Sequence, residues 1–312
     1  MSLSHALFKA AVRARLSMTQ TGRVVEVGNQ TFDVSNELLG EAIEILKARC
    51  PQCDQARLRA ILAEPQKSRA HRTKDFYLAM GFRDYVAIDT SSKYGALTMD
   101  LNRDLRAECN YWDEFDLVTN FGTGEHVFDQ KTLFQNIHNL CAEGGTIALY
   151  LPFFNYVNHC FYTYHPKFVP DWAAANGYAL QYMSLEALGW EAPVKIPELK
   201  DAPLNWREID CDLSLSVAMT QCSLSLLEGA QTVKAALYRT FARMLGRQVY
   251  EPPADYRQMN EVLRKLYRIC PDIGIVAILK KTSRADFRVP FEGRYLADVD
   301  NPSVAKNYSL PR

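Results

Sequence analysis

Three histidines, His126, His159 and His165, are the residues best suited to moving a proton. An imidazole titrates near neutrality, so it can serve as general acid or base. His159 falls in, and His165 directly follows, a stretch carrying six aromatics: Phe153, Phe154, Tyr156, Phe161, Tyr162 and Tyr164. Such a stretch can wall an apolar organic ligand, and ring faces attract cations. Carboxylates form a second group. Glu26 and Asp89 sit in or just after short apolar runs, Asp100 opens an Asp-Leu-Asn turn, and Glu125 precedes His126. Gly28 follows Glu26 by two, where a strand-end glycine lets backbone come close to a ligand. Of eight cysteines, Cys50 and Cys53 form a CxxC. A zinc site would need a second pair at similar spacing, and none is present, so no metal is expected.

The elements that must position these groups are clearest in residues 111–152. Phe115, Leu117 and Val118 begin an apolar run that stops at Asn120 and Gly122. Leu133, Phe134, Ile137 and Leu140 then repeat at helical spacing, and Gly144-Gly145 marks a stop before a second buried run, 146–151. Strand, helix, strand is the unit of a parallel sheet covered by helices. Ligands bind such sheets at the carboxyl ends of the strands. Residues just after Asn120 and Leu151 are therefore the first place to look for chemistry.

Along the chain, residues 1–21 read as an amphipathic helix with Leu7, Phe8, Ala11 and Val12 on one side. Residues 22–220 read as the core: a strand over 23–27, a helix over 37–49 capped by Ser35 or Asn36, a helix capped by Thr73, and strands over 85–88, 96–99 and 179–185. The stretch of about 37–72 is expected as an insertion. Helical periodicity over 226–247 and 254–269 suggests a helical insertion, lid or homodimer surface over 221–270. Residues 271–312 hold a last strand, 273–279, and a polar tail. The alternation predicts an α/β fold, a doubly wound, mostly parallel Rossmann-like sheet with helical insertions.

The 312 residues carry 36 basic and 36 acidic side chains, so the formal charge is zero. That balance points away from nucleic acid and anionic membranes as partners. No run has the length of a membrane span, and the N-terminus lacks a signal peptide's apolar core, so a cytoplasmic protein is expected.

The block FDLVTNFGTGEHVFDQKTLFQNIHNLCAEGGTIAL resembles the stretch from the fourth to the fifth strand of the class I S-adenosylmethionine-dependent methyltransferases. The similarity covers roughly residues 22–185. It implies methyl transfer from S-adenosylmethionine to a small-molecule acceptor. Glu26-x-Gly28-x-Gln30 stands where the family has an acidic residue and two glycines, with Gln30 replacing the second glycine. The resemblance gives Gly28 the approach to the methionine part, and Glu26 the cofactor amino group or the local hydrogen-bond net. It gives Asp89 the ribose hydroxyls, Asp100 and Leu101 the adenine, and Asn120, Phe121 and Gly122 backbone contact with the cofactor. Asn158, Tyr162, His165 and Phe154 fall in the acceptor wall. His159 is the expected base or acceptor-orienting group, with His126 beside it.

Bland alternatives stand next to these roles. Asp89 and Asp100 are also turn formers, and Glu125-His126 could cap a helix. The 61 residues between Gly28 and Asp89 exceed the roughly 20 usual in a compact unit. Two other readings compete: an NAD(P)-dependent oxidoreductase, which predicts a GxGxxG that GNQTFD lacks, and a binding or scaffold protein that kept the fold without the chemistry.

Overall fold

A computed structural model describes residues 2–3, 5–156, 159–187, 210–211 and 272–290. Its main feature is an eight-stranded sheet. In chain order the elements are β1 (Ser2–Leu3), α1 (His5–Leu16), β2 (Arg23–Val27), β3 (Thr31–Phe32), α2 (Asn36–Arg49), α3 (Gln55–Ala63), α4 (Thr73–Ala79), β4 (Asp84–Asp89) and β5 (Leu97–Thr98). After these come β6 (Phe115–Phe121), α5 (Gln130–Leu140), β7 (Cys141–Phe154), α6 (Phe168–Asn176), β8 (Tyr178–Ala187), β9 (Asp210–Cys211) and β10 (Ile273–Lys281). The order across the sheet is β5-β4-β2-β6-β7-β10-β8-β9. Among the described strands of this sheet, only β10 runs against its neighbours. Its first five positions follow the doubly wound 3-2-1-4-5 order, with the switch point between β2 and β6.

Both faces of the sheet are covered, which is why its central strands are almost continuously apolar. Alternate residues serve two cores. Val24, Leu117, Phe121, Ala148 and Val276 pack under α1, α2, α3 and α4. Val25, Val118, Ile147, Leu149 and Ile275 pack under α5 and α6. The segment expected as an insertion thus supplies one covering layer, with α2 against α1 and α3 against α4. That burial explains the long spacing from Gly28 to Asp89.

Several local expectations change. The N-terminal helix is buried on all sides rather than along one stripe. Its cations are tolerated because they are paired: Arg13 bonds Glu186 and lies over the Tyr182 ring, and Arg15 donates to the Met80 carbonyl at 2.7 Å. Ser35 does cap α2, accepting from Leu38 N–H. Thr73 does not cap α4; its hydroxyl instead donates to the Gln30 carbonyl at 2.8 Å. The strand expected over 96–99 is reduced to Leu97–Thr98, and that over 273–279 runs to Lys281. No helix among the described residues is long and apolar enough to cross a membrane. The helices expected over 226–247 and 254–269 lie outside the described residues.

Candidate active site

Three strand ends meet at the switch point. Val27 pairs with Ile88 of β4 on one side and with Asn120 of β6 on the other. Gly28, Asp89 and Asn120 therefore stand at one rim, on neighbouring strands. Gly28 takes φ 87° and donates its N–H to the Ile88 carbonyl at 2.8 Å. Asp89 accepts from Asn29 N–H and from Ser91 N–H, both at 2.9 Å. Its half-buried carboxylate is thus fixed between the two strand ends. Asn120 is fully buried; its Oδ1 accepts from Gly124 N–H at 2.9 Å, while Nδ2 has no partner among the described residues.

The other residues of the expected cofactor set are placed differently. Glu26 is enclosed on the α4 face, where the Tyr85 hydroxyl donates to it at 2.5 Å. Burial pushes its carboxyl up to about 7. Of its two expected roles, the contact described is that of the local hydrogen-bond net. The Gln30 side chain also turns inward, donating to the Phe121 carbonyl at 3.1 Å, and the Phe121 ring belongs to the core. Gly28 has tight surroundings: a Cβ there would fall 1.9 Å from Thr123 Oγ1 and 2.6 Å from Thr123 Cβ. The direction a side chain at Gly28 would take is filled by Thr123. Gly122 takes φ 76° and donates to the Tyr150 carbonyl at 3.1 Å.

Asp100 accepts from both Asn102 N–H and Asn102 Nδ2, each at 2.9 Å, the turn-forming arrangement, and these bonds hold its carboxyl below the usual range. Leu101 is a core residue whose carbonyl faces Asn136. Asn102 clips the turn to the start of α5 by accepting from Phe128 and Asp129 N–H at 3.0 Å. Its role was not expected, though its place in Asp-Leu-Asn is a visible signal. The cap of α5 is Asp129, not Glu125-His126.

Beyond Asn120 the chain turns through a short 3-10 segment, Gly124–His126. The loop after β7 docks onto it: Phe161 and Tyr162 N–H donate to the Glu125 carbonyl at 3.1 and 3.3 Å. Gln130 reinforces the turn by donating to the Gly124 carbonyl, and Tyr164 donates to Gln130. This docking brings His159 to His126, ring centroids 5.1 Å apart. Burial holds both imidazoles below the ordinary histidine value, and for His126 the neighbouring His159 adds to it. Glu125, almost fully enclosed, is pushed up to about 7 by burial.

Of the expected acceptor wall, Tyr162 donates its hydroxyl to the Phe128 carbonyl at 2.9 Å. Phe154, Phe128 and Phe161 are exposed, and the last two meet edge to face. His165 packs against Phe153 at 6.2 Å and accepts from Lys167 N–H, so it is turned toward its own loop. Asn158 lies outside the described residues. Cys50 and Cys53 are both buried near Arg15, in the α1–α4 layer.

No family model matches the chain, and no curated protein matches it. Among solved structures it is similar to the O-methyltransferase from a trans-AT PKS multienzyme of Brevibacillus brevis, in complex with S-adenosyl-L-homocysteine. The identity is 10%, over 89% of this chain and 73% of that one, with TM-score 0.39. A SAM-dependent methyltransferase from Archaeoglobus fulgidus gives 14% identity over 88% and 94%, with TM-score 0.34. Phosphoethanolamine N-methyltransferase 2 of Haemonchus contortus, in complex with S-adenosyl-L-methionine, gives 14% over 88% and 52%, also at 0.34. At these identities and scores, neither cofactor nor reaction passes from those proteins to this chain. The strand order alone defines the class of fold: a Rossmann-like, doubly wound sheet with one inverted strand.

Proposed function

We propose that this protein transfers a methyl group from S-adenosylmethionine to an oxygen or nitrogen of a small molecule or sugar. The observation that carries the reading is the convergence of Gly28, Asp89 and Asn120 at the switch point, with His126 and His159 on the loops that follow. The residues present fit the cofactor at two points. Asp89 is a fixed, half-buried carboxylate with lone pairs left for ribose hydroxyls. The Asn120 Nδ2 is a buried donor with no partner among the described residues, a state that costs free energy unless something accepts from it.

When bound, the cofactor supplies an electrophilic methyl group. The chain's own part is binding, orientation and proton transfer. Asp89 holds the sugar, and Glu26, through Tyr85, braces β2 against β4. The aromatic loop keeps water from the acceptor and offers ring faces to a cation. A ring nitrogen of His159 takes the proton that the acceptor loses, with its pKa lowered so that the neutral form prevails at neutral pH. Alignment of the acceptor carries much of the rate in such a displacement. The zero net charge supports a small acceptor rather than nucleic acid.

A second reading has its own support. Thr123 over Gly28 and the inward Gln30 close part of the rim, as in a chain that kept the fold as a binding protein. Calorimetric titration with S-adenosylmethionine, its demethylated product and NADH separates the readings. Binding of both sulfur nucleosides and not NADH supports methyl transfer. Binding of none supports the second reading, and NADH alone supports an oxidoreductase.

A further inference from the structure

Glu125, His126 and His159 each present one N or O ligand atom, and these atoms all lie within 4.8 Å of one another. We propose that the three form a binding site for a single divalent transition-metal ion, of which zinc is the type. The sequence alone argued against any metal, because it was judged on its cysteines. The tertiary structure builds a set from other residues.

Four observations carry the assignment. The cluster spans two separately folded segments, the turn after β6 and the loop after β7. They are held in register by the Phe161 and Tyr162 N–H groups on the Glu125 carbonyl, so the juxtaposition is built into the backbone. The size is right: bonds of about 2.0–2.2 Å to a tetrahedral ion set ligand atoms roughly 3.5 Å apart. The ligand atoms lie within 4.8 Å of one another, and the two exposed imidazoles can rotate about their side-chain bonds to draw the set in. The chemistry is right as well. Two imidazoles and one carboxylate are the donor set of His2Glu zinc sites and of facial-triad sites, and they leave coordination positions open. Magnesium and calcium prefer oxygen throughout. Finally, Glu125 is 1% exposed and its Oε2 has no hydrogen-bond partner among the described residues. A carboxylate so placed needs a countercharge or a donor, and a cation held jointly with the histidines supplies it.

If the protein transfers methyl groups as proposed, the open positions hold the acceptor oxygen, and His159 is a ligand rather than the base. The metal site itself does not depend on that reading.

The test uses the untagged full chain, stripped of metal by chelator, with no S-adenosylmethionine present. Zn2+ and Mg2+ are titrated by calorimetry, and Co2+ is added as a spectroscopic probe. The expected result is one Zn2+ per chain and far weaker Mg2+ binding. The cobalt spectrum should lack a thiolate charge-transfer band. His159→Ala, His126→Ala and Glu125→Gln should each weaken Zn2+ by about tenfold or more, while Cys53→Ser and His165→Ala leave it unchanged. Because Glu125 is buried, its variant is checked by thermal melting; if it fails to fold, the two exposed histidines decide. No Zn2+ binding, unchanged affinity in the His126→Ala/His159→Ala double variant, or loss of binding in Cys53→Ser overturns the site. Zinc binding without any binding of S-adenosylmethionine would sink the proposed function and leave this site standing. The reverse outcome would do the opposite.

Discussion

Thr123 occupies the space that any side chain at position 28 would need: a Cβ built on Gly28 lies 2.6 Å from Thr123 Cβ. The loop after β6 is therefore seated against the end of β2, and the glycine is required by that contact as well as by its φ of 87°. Gly28→Ala should destabilise the protein by about 2–4 kcal/mol, combining an overpacked contact with left-handed backbone strain. Thr123→Ala in the same chain should recover part of the loss, because it removes Oγ1 and Cγ2 but leaves the Cβ contact and the backbone strain. Denaturant unfolding of the two single variants and the double variant checks this. A Gly28→Ala protein as stable as wild type would refute the contact.

Asp89→Ala should weaken S-adenosylmethionine binding by more than about tenfold if the carboxylate holds the ribose, since a charge-assisted bond is lost. The same change releases Asn29 and Ser91 N–H. Affinity is therefore read together with the thermal midpoint. Unchanged calorimetric affinity would remove the ribose role.

His159→Ala should lower methyl transfer while sparing affinity for the cofactor. The side chain is exposed and carries no hydrogen bond to the sheet rim among the described residues, so the fold should be unaffected. Turnover of a productive acceptor at saturating cofactor is the measurement, and full activity would show that His159 serves neither the acceptor nor its proton.

Glu26 makes stability depend on pH. Its folded-state pKa, about 7, lies above the ordinary 4.5, so the folded protein binds the proton more tightly than the unfolded chain does. The stabilisation is complete below the unfolded value and is lost as pH rises through about 7. The span corresponds to roughly 3 kcal/mol at most. Glu26→Gln, which keeps a partner for Tyr85, should flatten that slope. Equal slopes for the two proteins in denaturant titrations on either side of the window would count against it.

Lys281 closes the carboxyl end of α5 from β10. Its ammonium donates to the His138 and Cys141 carbonyls at 2.8 and 2.9 Å, and burial holds its pKa below the ordinary lysine value. Lys281→Met keeps the stem and leaves two carbonyls unanswered, at a cost of about 1–3 kcal/mol in urea unfolding.

Much of the fold can be read in the sequence because its signals are local. The apolar runs of β2, β6, β7 and β10 are strands buried on both faces, and the spacing of Leu133, Phe134, Ile137 and Leu140 is the buried stripe of α5. Gly28, Asp89 and Asn120 fall at strand ends because each follows an apolar run, and position in a run is one-dimensional information. The Asp100 turn could be read for the same reason.

What tertiary structure alone decided involves pairs far apart in the chain. That α2 and α3, within the stretch 37–72, cover one face of the sheet is seen only in the structure. The bond from Tyr85 to Glu26, and that from Gln30 to the Phe121 carbonyl, join residues that the chain order does not link. Glu125, His126 and His159 become one cluster only through the hydrogen bonds between two loops. Composition and periodicity set which segments become strands and helices, because those depend on neighbours in the chain. Which side chains share a site depends on how strand ends and loops pack, and that is settled only when the sheet assembles.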